Sequence, residues 1–377
     1  MVRARLAAPV LVQDAGRLTA VASRLASAPR LALDTESNSL HSYRERVCLV
    51  QISVPQADYL VDPLALPNLK PLAPLLENPK IEKVFHAAEY DLLCLKRDFG
   101  FRVANLFDTH LASRTLGRKK TGLGDLLEEE FGVHLDKRLQ RANWGTRPLP
   151  TDLLNYARLD THYLLALRDR FEKALKEGDR WEEAQEAFEL LSGVAPHGNG
   201  FNPDGFWRIA RAGRLTPSQS AVLRELYQYR EDQARRLDRP AFKVLGDQTL
   251  LAAAQTLPAD LEAVTALPGM SQGQVRRFGG GILAAVARGR KAPRPQRPAA
   301  APPVEEAVLN RVEKLRRWRQ RVARTRQVES DIILPREILW KIARDGPRDL
   351  PALRRSMAPL EWRHRTYGPE ILAALWG

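Results

Sequence analysis

The residues with the clearest chemistry are two carboxylates, Asp34 and Glu36, at the end of the apolar run over residues 31–33. Side chains alternate between the two faces of a strand, so both carboxylates project from one face if this run is a strand. Carboxylate oxygens are the ligands that Mg²⁺ and Mn²⁺ prefer. The pair is therefore a candidate for one side of a divalent-cation site, although an isolated Asp-x-Glu also occurs as an ordinary solvated or capping pair.

Further carboxylates occur where the fold could return them to this strand end. Asp91 falls in the first turns of a helix predicted over residues 88–98, directly after a predicted strand. Tyr156 and Asp160 are four residues apart, which places them on one face of a helix predicted over residues 152–177. Converging carboxylates repel one another unless cations neutralise them. Such a cluster suits phosphodiester hydrolysis by two metal ions about 3.5–4 Å apart.

Strands and helices are mixed throughout the first 200 residues, which is typical of an α/β layer domain. Strands are predicted at residues 31–36, 47–54, 59–61 and 80–85. Helices are predicted at residues 15–27, 64–76, 88–98, 108–116, 123–131 and 152–177, with an irregular segment at 136–150. We therefore expect a mixed sheet flanked by helices that brings the carboxylates together.

The chain changes character after residue 200, where compact helices are predicted at 217–237, 247–254, 258–266 and 271–288. Five prolines among residues 291–303 indicate a semi-rigid spacer. Residues 308–326 combine an apolar helical stripe with eight cations, among which Arg317 and Arg321 are candidates for phosphate contacts, although such a run is often only a solvated face. The predicted domains are 1–200, 210–290 and 304–377, with a linker at 291–303.

The excess positive charge lies in the C-terminal half of the chain. Residues 1–200 carry 27 basic and 27 acidic side chains, residues 201–290 carry 13 and 8, and residues 291–377 carry 19 and 10, for a formal net charge of +14. Nucleic acid is favoured over a membrane surface as the partner of this basic half, because no lipid anchor accompanies it. No apolar run reaches the roughly 18 residues that a membrane span needs. Cys48 and Cys94 lie in apolar stretches, which indicates buried thiols in a reducing cytoplasm.

Three segments, taken in order, resemble the exonuclease motifs of the DEDD superfamily in its tyrosine-bearing branch. They are Asp34-Thr35-Glu36, His86-Ala87-Ala88-Glu89-Tyr90-Asp91-Leu92 and Tyr156-Ala157-Arg158-Leu159-Asp160. The stretch Trp144-Gly145-Thr146-Arg147-Pro148-Leu149-Pro150 resembles more specifically the bacterial ribonuclease D family. Residues 215–290 resemble an HRDC domain, a small helical nucleic-acid-binding module, and residues 304–376 a second, more divergent copy. The resemblance implies a ribonuclease H-like α/β exonuclease domain followed by two small all-α HRDC-type domains.

The same resemblance implies a metal-dependent 3′–5′ exoribonuclease that trims structured RNA such as tRNA precursors and releases nucleoside 5′-monophosphates. By the family pattern, Asp34, Glu36 and Asp160 ligate the metal that activates water. Asp34 also bridges to a second metal, which Asp91 holds through water, and Tyr156 orients the attacking water. The implied cofactors are two divalent ions, Mg²⁺ or Mn²⁺.

Several assignments have alternatives at this stage. His86 either contacts the substrate near the scissile bond or only packs against neighbouring side chains. Tyr43 and Arg44 either contact the terminal nucleotide or have only a structural role in the loop that follows the first motif. A 3′–5′ DNA exonuclease is the main alternative function, because nothing in the sequence reports a contact to a 2′-hydroxyl. A non-catalytic nucleic-acid-binding protein is another. The absence of a Walker lysine motif excludes an ATP-driven helicase. We expect a cytoplasmic monomer that binds RNA and neither membrane nor ATP.

Overall fold

The computed structural model describes residues 6–136, 138–195, 200–298 and 302–377, with the side chains of residues 211–213 left aside. The chain forms two compact units. The first unit comprises Met1–Ser37, Val47–Pro196 and Pro302–Gly377, and the second comprises Asn38–Arg46 and His197–Ala301. The C-terminal helices therefore belong to the same unit as the sheet. The domain boundaries proposed from the sequence stay a prediction.

A six-stranded mixed sheet, in the order β1-β4-β3-β2-β5-β6, forms the centre of the first unit. Its strands are β1 (Val10–Val12), β2 (Arg30–Ser37), β3 (Val47–Val54), β4 (Ala57–Val61), β5 (Glu82–Phe85) and β6 (Leu106–Asp108). Strand β3 runs antiparallel to β2 and β4, whereas the other neighbours are parallel. Seven of the eight residues of β3 are buried, as expected for a strand covered on both faces. The predicted mixed sheet with flanking helices is confirmed.

Eight helices accompany the sheet in the described part of the chain up to residue 195. They are α1 (Ala15–Leu25), α2 (Ala73–Glu77), α3 (Glu89–Phe99), α4 (Thr109–Thr115), α5 (Leu123–Phe131), α6 (Thr151–His162), α7 (Leu164–Glu177) and α8 (Trp181–Ser192). Helix α6 packs across β2, β3 and β4. It therefore lies over the strand that carries Asp34 and Glu36.

The structure differs from the sequence-based expectation at three places. Strands β1 and β6 are not predicted, because a three-residue strand is too short to show alternation. The single helix expected over residues 152–177 is two helices that meet at Tyr163. The helix expected over residues 64–76 is only a 3₁₀ turn at Lys70–Leu72 followed by the short helix α2, because Pro67 and Pro71 would fall in the interior of the longer helix.

The second unit is helical, with α9 (Phe206–Gly213), α10 (Pro217–Leu237), α11 (Ala241–Val244), α12 (Asp247–Thr256), α13 (Leu261–Thr265) and α14 (Gln272–Lys291). Its two longest helices, α10 and α14, both begin with a capping box, in which the N-cap hydroxyl and the third helical residue satisfy each other's backbone N–H groups. The two helices pack closely at Gly289, where an added Cβ would lie 2.4 Å from Cα of Val222.

The C-terminal helices are α15 (Glu306–Arg326), α16 (Ser330–Ile333), α17 (Arg336–Asp345), α18 (Leu350–Met357) and α19 (Glu361–Trp376). The predicted apolar stripe of α15 is confirmed, since Val308, Val312, Leu315 and Trp318 are buried. Helix α19 packs against α8. Among the described residues, no helix combines the length and the apolarity that crossing a bilayer requires.

Candidate active site

Strand β2 and helix α6 bring three carboxylates together. Asp34 and Glu36 project from the same face of β2, since they are two residues apart in the strand. Asp160 is buried near the end of α6, which packs on β2. A carboxylate oxygen from each of the three residues lies within 4.8 Å of the other two. Within the described chain, this is the one group of three or more such side chains with the spacing to hold a metal ion.

Helix α3 contributes a fourth carboxylate, Asp91, from its first turn. Asp91 is 6% exposed, and its Oδ1 accepts hydrogen bonds from the backbone N–H of Thr35 at 3.0 Å and from the Thr35 hydroxyl at 2.5 Å. Thr35 lies between Asp34 and Glu36 in the sequence. These bonds therefore tie the start of α3 to the strand segment that carries the other carboxylates.

A buried aspartate shapes the turn that leads into α3. Ala87 adopts a left-handed conformation with φ of 59°, which is unusual for a residue with a Cβ. The next N–H group, of Ala88, donates to Oδ2 of Asp108 at 2.7 Å, while Oδ1 of Asp108 accepts from the N–H of Leu111 at 2.8 Å and caps α4. Asp108 thus holds the turn that positions Asp91. Sequence reasoning did not single it out.

Burial is the largest cause of a raised pKa for every carboxylate in this group, and repulsion between neighbouring carboxylates adds to it. For Asp34 burial is the largest cause, followed by the negative charges of Asp91, Asp160 and Glu36. Burial and the charges of Asp160 and Asp91 raise the pKa of Glu36 to about 9. The pKa of Asp91 rises to about 7, because burial outweighs the hydrogen bonds from Thr35. Burial and the charge of Asp91 also raise the pKa of Asp160 well above its ordinary value.

This donor set fits a hard divalent cation. Four carboxylates that repel one another in a buried site become stable in their ionised form when a cation binds them. The oxygen ligands exclude a preference for soft metals, which take sulfur donors. Asp34, Glu36 and Asp160 are the residues whose oxygens converge closely enough to share one ion.

Tyr156 lies one helical turn before Asp160 in α6. It is 4% exposed, and its ring packs near that of Trp144, with 6.3 Å between the centroids. Burial, followed by the charges of Asp160 and Glu36, raises the pKa of Tyr156 above its ordinary value of 10.0. The hydroxyl therefore keeps its proton at neutral pH, and it can act as a hydrogen-bonding group.

The segment before α6 is anchored by a partly buried ion pair between Arg147 and Asp62. The guanidinium donates to both oxygens of Asp62, at 2.7 and 2.6 Å. It also donates to the carbonyl oxygens of Cys48 and Trp144, each at 2.7 Å. Burial alone would raise the pKa of Asp62, but the hydrogen bonds and charge of Arg147, together with hydrogen bonds from Gln13 and the Leu64 N–H, outweigh it and lower the pKa. Arg147 thus joins the start of α6 to β3 and β4. In the sequence, Arg147 stands out only as part of the Trp144–Pro150 motif, which does not predict this role.

His86 is half-buried and engaged in local contacts. Its Nδ1 lies 2.9 Å from the Thr109 hydroxyl oxygen, and its ring centroid lies 5.5 Å from that of His110. Burial, followed by repulsion from His110, lowers the pKa of His86 to about 3, so the ring is neutral at physiological pH. These contacts are those of a packed side chain, and contact with substrate stays a prediction.

The other candidates for substrate contacts do not belong to the cluster of four carboxylates. Tyr43 and Arg44 belong to the second unit, where the Tyr43 hydroxyl donates to the Glu231 carboxylate and Arg44 is exposed. Arg317 and Arg321 are exposed on α15. Arg317 pairs with Glu313 at 3.0 Å, one turn earlier in the same helix.

Comparison with known proteins identifies the family. Residues 9–176 match the 3′–5′ exonuclease family, and residues 219–286 and 308–375 each match the HRDC domain. Ribonuclease D of Pseudomonas paraeruginosa is 32% identical over 354 residues, which cover 92% of each chain. The chain belongs to the ribonuclease D family. It is accordingly a 3′–5′ exoribonuclease, and both HRDC resemblances noted in the sequence are confirmed.

Solved structures agree with membership of the ribonuclease D family. The catalytic core of RRP6 from Trypanosoma brucei matches with a TM-score of 0.67 and 30% identity, covering 77% of this chain and 80% of that one. Escherichia coli RNase D matches with a TM-score of 0.67 and 23% identity, covering 98% of this chain and 99% of that one. The second likeness shows that the fold extends over the whole length of a ribonuclease D.

Proposed function

We propose that this exoribonuclease trims the 3′ ends of structured RNA, tRNA precursors among them, and releases nucleoside 5′-monophosphates with the help of two divalent ions, Mg²⁺ or Mn²⁺. One observation carries the proposal: carboxylate oxygens of Asp34, Glu36 and Asp160 lie within 4.8 Å of one another, with Asp91 acting electrostatically on all three. The Escherichia coli relative is described as an exoribonuclease involved in structured RNA processing, which supports the substrate class.

Each side chain of the group has a proposed role. Asp34, Glu36 and Asp160 would hold the first cation, and Asp34 and Asp91 would contribute to holding the second. Two divalent cations held by these carboxylates would supply the chemistry of water activation and of charge neutralisation at the leaving oxygen. Tyr156 keeps its proton and orients the attacking water by a hydrogen bond, so its contribution depends on position rather than on basicity.

The helical modules are proposed to capture the RNA. Residues 201–290 carry five more basic than acidic side chains, and residues 291–377 carry nine more. Arg317 and Arg321 are exposed on α15 and are proposed to contact phosphates. Tyr43, Arg44 and His86 are proposed to contact the substrate nearer the 3′ end. We further propose that the protein acts as a monomer in the cytoplasm.

The deciding experiment follows 5′-labelled RNA with a single-stranded 3′ tail on a denaturing gel. Wild type is compared with Asp160→Asn and with Asp152→Asn, which makes the same substitution at an exposed position of the same helix. Each protein is assayed with Mg²⁺, with Mn²⁺ and with chelator. We expect a ladder that shortens from the 3′ end with wild type and Asp152→Asn, and intact RNA with Asp160→Asn or with chelator.

Two further measurements separate the finer parts of the proposal. Thin-layer chromatography of 3′-labelled product identifies the nucleoside monophosphate, and 5′-monophosphates are expected. A DNA of the same sequence is assayed in parallel. Equal or faster cleavage of DNA would move the assignment to a DNA exonuclease. Cleavage that persists with chelator would contradict the metal-dependent mechanism.

A further inference from the structure

Gln51 is a polar side chain at the centre of the sheet. It lies in the middle of β3 and has no solvent exposure. Among the described residues, neither its Nε2 nor its Oε1 has a hydrogen-bond partner. Buried amides are nearly always bonded, because an unpaired one loses its hydration without compensation. An amide in this state, in a strand that is otherwise mostly apolar, indicates a function beyond packing.

The strand register places Gln51 beside the candidate metal ligands. In the antiparallel pair β2–β3, Gln51 is the direct partner of Asp34, and Leu49 is the partner of Glu36. Directly paired residues project from the same face of a sheet, with Cβ atoms about 4.5–5.5 Å apart. The amide of Gln51 therefore lies on the face that carries Asp34 and Glu36.

Helix α6 covers this same face and brings Asp160 to it. The hydroxyl oxygens of Ser53 and Thr161 lie 2.7 Å apart. Ser53 is two residues beyond Gln51 on the same face of β3, and Thr161 follows Asp160 in α6. The contact holds the end of α6 against β3. Gln51 thus lies beneath the place where the carboxylates of β2 and α6 converge.

We propose that Gln51 is a positioning residue for the metal site. Its Nε2–H donates to the Asp34 carboxylate when that carboxylate binds a cation, and so fixes which oxygen faces the ion. An amide suits this role because it donates a hydrogen bond without adding a positive charge that would compete with the cation. A lysine or arginine here would neutralise the carboxylates permanently. This inference rests on the proposed metal-dependent function.

The test compares Gln51→Met with wild type and with Gln56→Met, which makes the same change at an exposed position just after β3. Methionine has nearly the shape of glutamine and removes both polar atoms. Two readouts are taken: the Mn²⁺ dissociation constant by isothermal titration calorimetry, and the thermal midpoint in chelator. We expect Gln51→Met to weaken Mn²⁺ binding by about tenfold or more. The midpoint in chelator should be unchanged or higher, because an unpaired amide is removed. Gln56→Met should match wild type in both.

A purely structural role for Gln51 would give a different pattern. Wild-type Mn²⁺ affinity in Gln51→Met, whatever its thermal midpoint, would overturn the inference. If that variant does not fold, Gln51→Asn takes its place, since it keeps the amide but withdraws it by one methylene. Wild-type Mn²⁺ affinity in Gln51→Asn would likewise count against the role. The wild-type arm separates the two proposals, because failure of wild type to bind Mn²⁺ would remove the proposed function itself.

Discussion

Two groups of buried or half-buried carboxylates in the first unit have opposite surroundings. Glu183 and Glu186 on α8 are 0% and 8% exposed, and each is paired with an arginine of the C-terminal helices. Arg326 donates to both oxygens of Glu183, at 2.9 and 2.6 Å, and Arg363 donates to Glu186. Asp34, Glu36, Asp91 and Asp160 are instead surrounded by one another, and their pKa values are raised.

The difference separates a structural use of buried charge from a functional one. On α8 the chain supplies its own cations, so the charges join the C-terminal helices to the nuclease part of the unit. At the candidate site the repulsion among carboxylates is left for an external cation to relieve. Removing one partner of a paired group should therefore cost stability, whereas removing one member of the unpaired group should cost activity.

The largest expected effect is the loss of activity in Glu36→Gln. Removing a proposed metal ligand should lower the rate of RNA cleavage by at least about a hundredfold. The same change removes one of the repelling charges, so the thermal midpoint in chelator should rise at neutral to alkaline pH. Cleavage assays and thermal denaturation measure the two effects. Glu128→Gln, at an exposed position of α5, is the matched control and should change neither.

The converse variant, Arg363→Met, should cost stability rather than catalysis. It leaves Glu186 buried without its partner, which typically costs about 3–5 kcal/mol of unfolding free energy. Arg365→Met is the control in the same helix, because Arg365 pairs with Glu182 where both side chains are about two-thirds exposed. That exposed pair should contribute about 0–1 kcal/mol. Urea denaturation measures both, and equal losses would contradict the distinction between the two groups.

The pH dependence of stability should distinguish the unpaired carboxylates of the candidate site from the arginine-paired glutamates of α8. The raised pKa values mean that the folded carboxylates bind more protons than the unfolded ones at intermediate pH, so stability falls as pH rises. In chelator, the thermal midpoint should therefore decrease as the pH is raised past the pKa of Asp91, about 7, and on toward that of Glu36, about 9. Saturating Mg²⁺ or Mn²⁺ should reduce this fall. Asp160→Asn should flatten the chelator curve, and a wild-type curve independent of metal would contradict the assignment.

The smallest expected effect concerns Arg317 and Arg321, two arginines of α15 that are exposed, unlike Arg326. Arg317→Ala combined with Arg321→Ala should leave the unfolding free energy within about 1 kcal/mol of wild type. RNA affinity should fall several-fold, and the slope of log affinity against log salt should decrease by about one for each phosphate that the variant no longer neutralises. Fluorescence anisotropy over a salt series measures this. An unchanged slope would assign both arginines to an ordinary solvated face.

Local signals in the sequence were sufficient for the main elements and for the first set of candidate residues. Alternation along residues 31–36 indicates a strand with Asp34 and Glu36 on one face, and the spacing of four places Tyr156 and Asp160 on one helix face. Both depend on periodicities of two and about 3.6 residues, which act over a few neighbours. The family motifs added Asp91, and the structure shows how Thr35 holds it.

The supporting residues were decided only by tertiary structure. Asp108 holds a turn 20 residues away, Arg147 reaches Asp62 across 85 residues, and Gln51 meets Asp34 through strand register. None of these pairings produces a periodic pattern in the nearby sequence, because each depends on which strands and helices become neighbours. The sequence by itself determined the mixed α/β and helical architecture and the carboxylate pattern. Tertiary packing decided which buried charges receive an arginine from this chain and which are left for a cation.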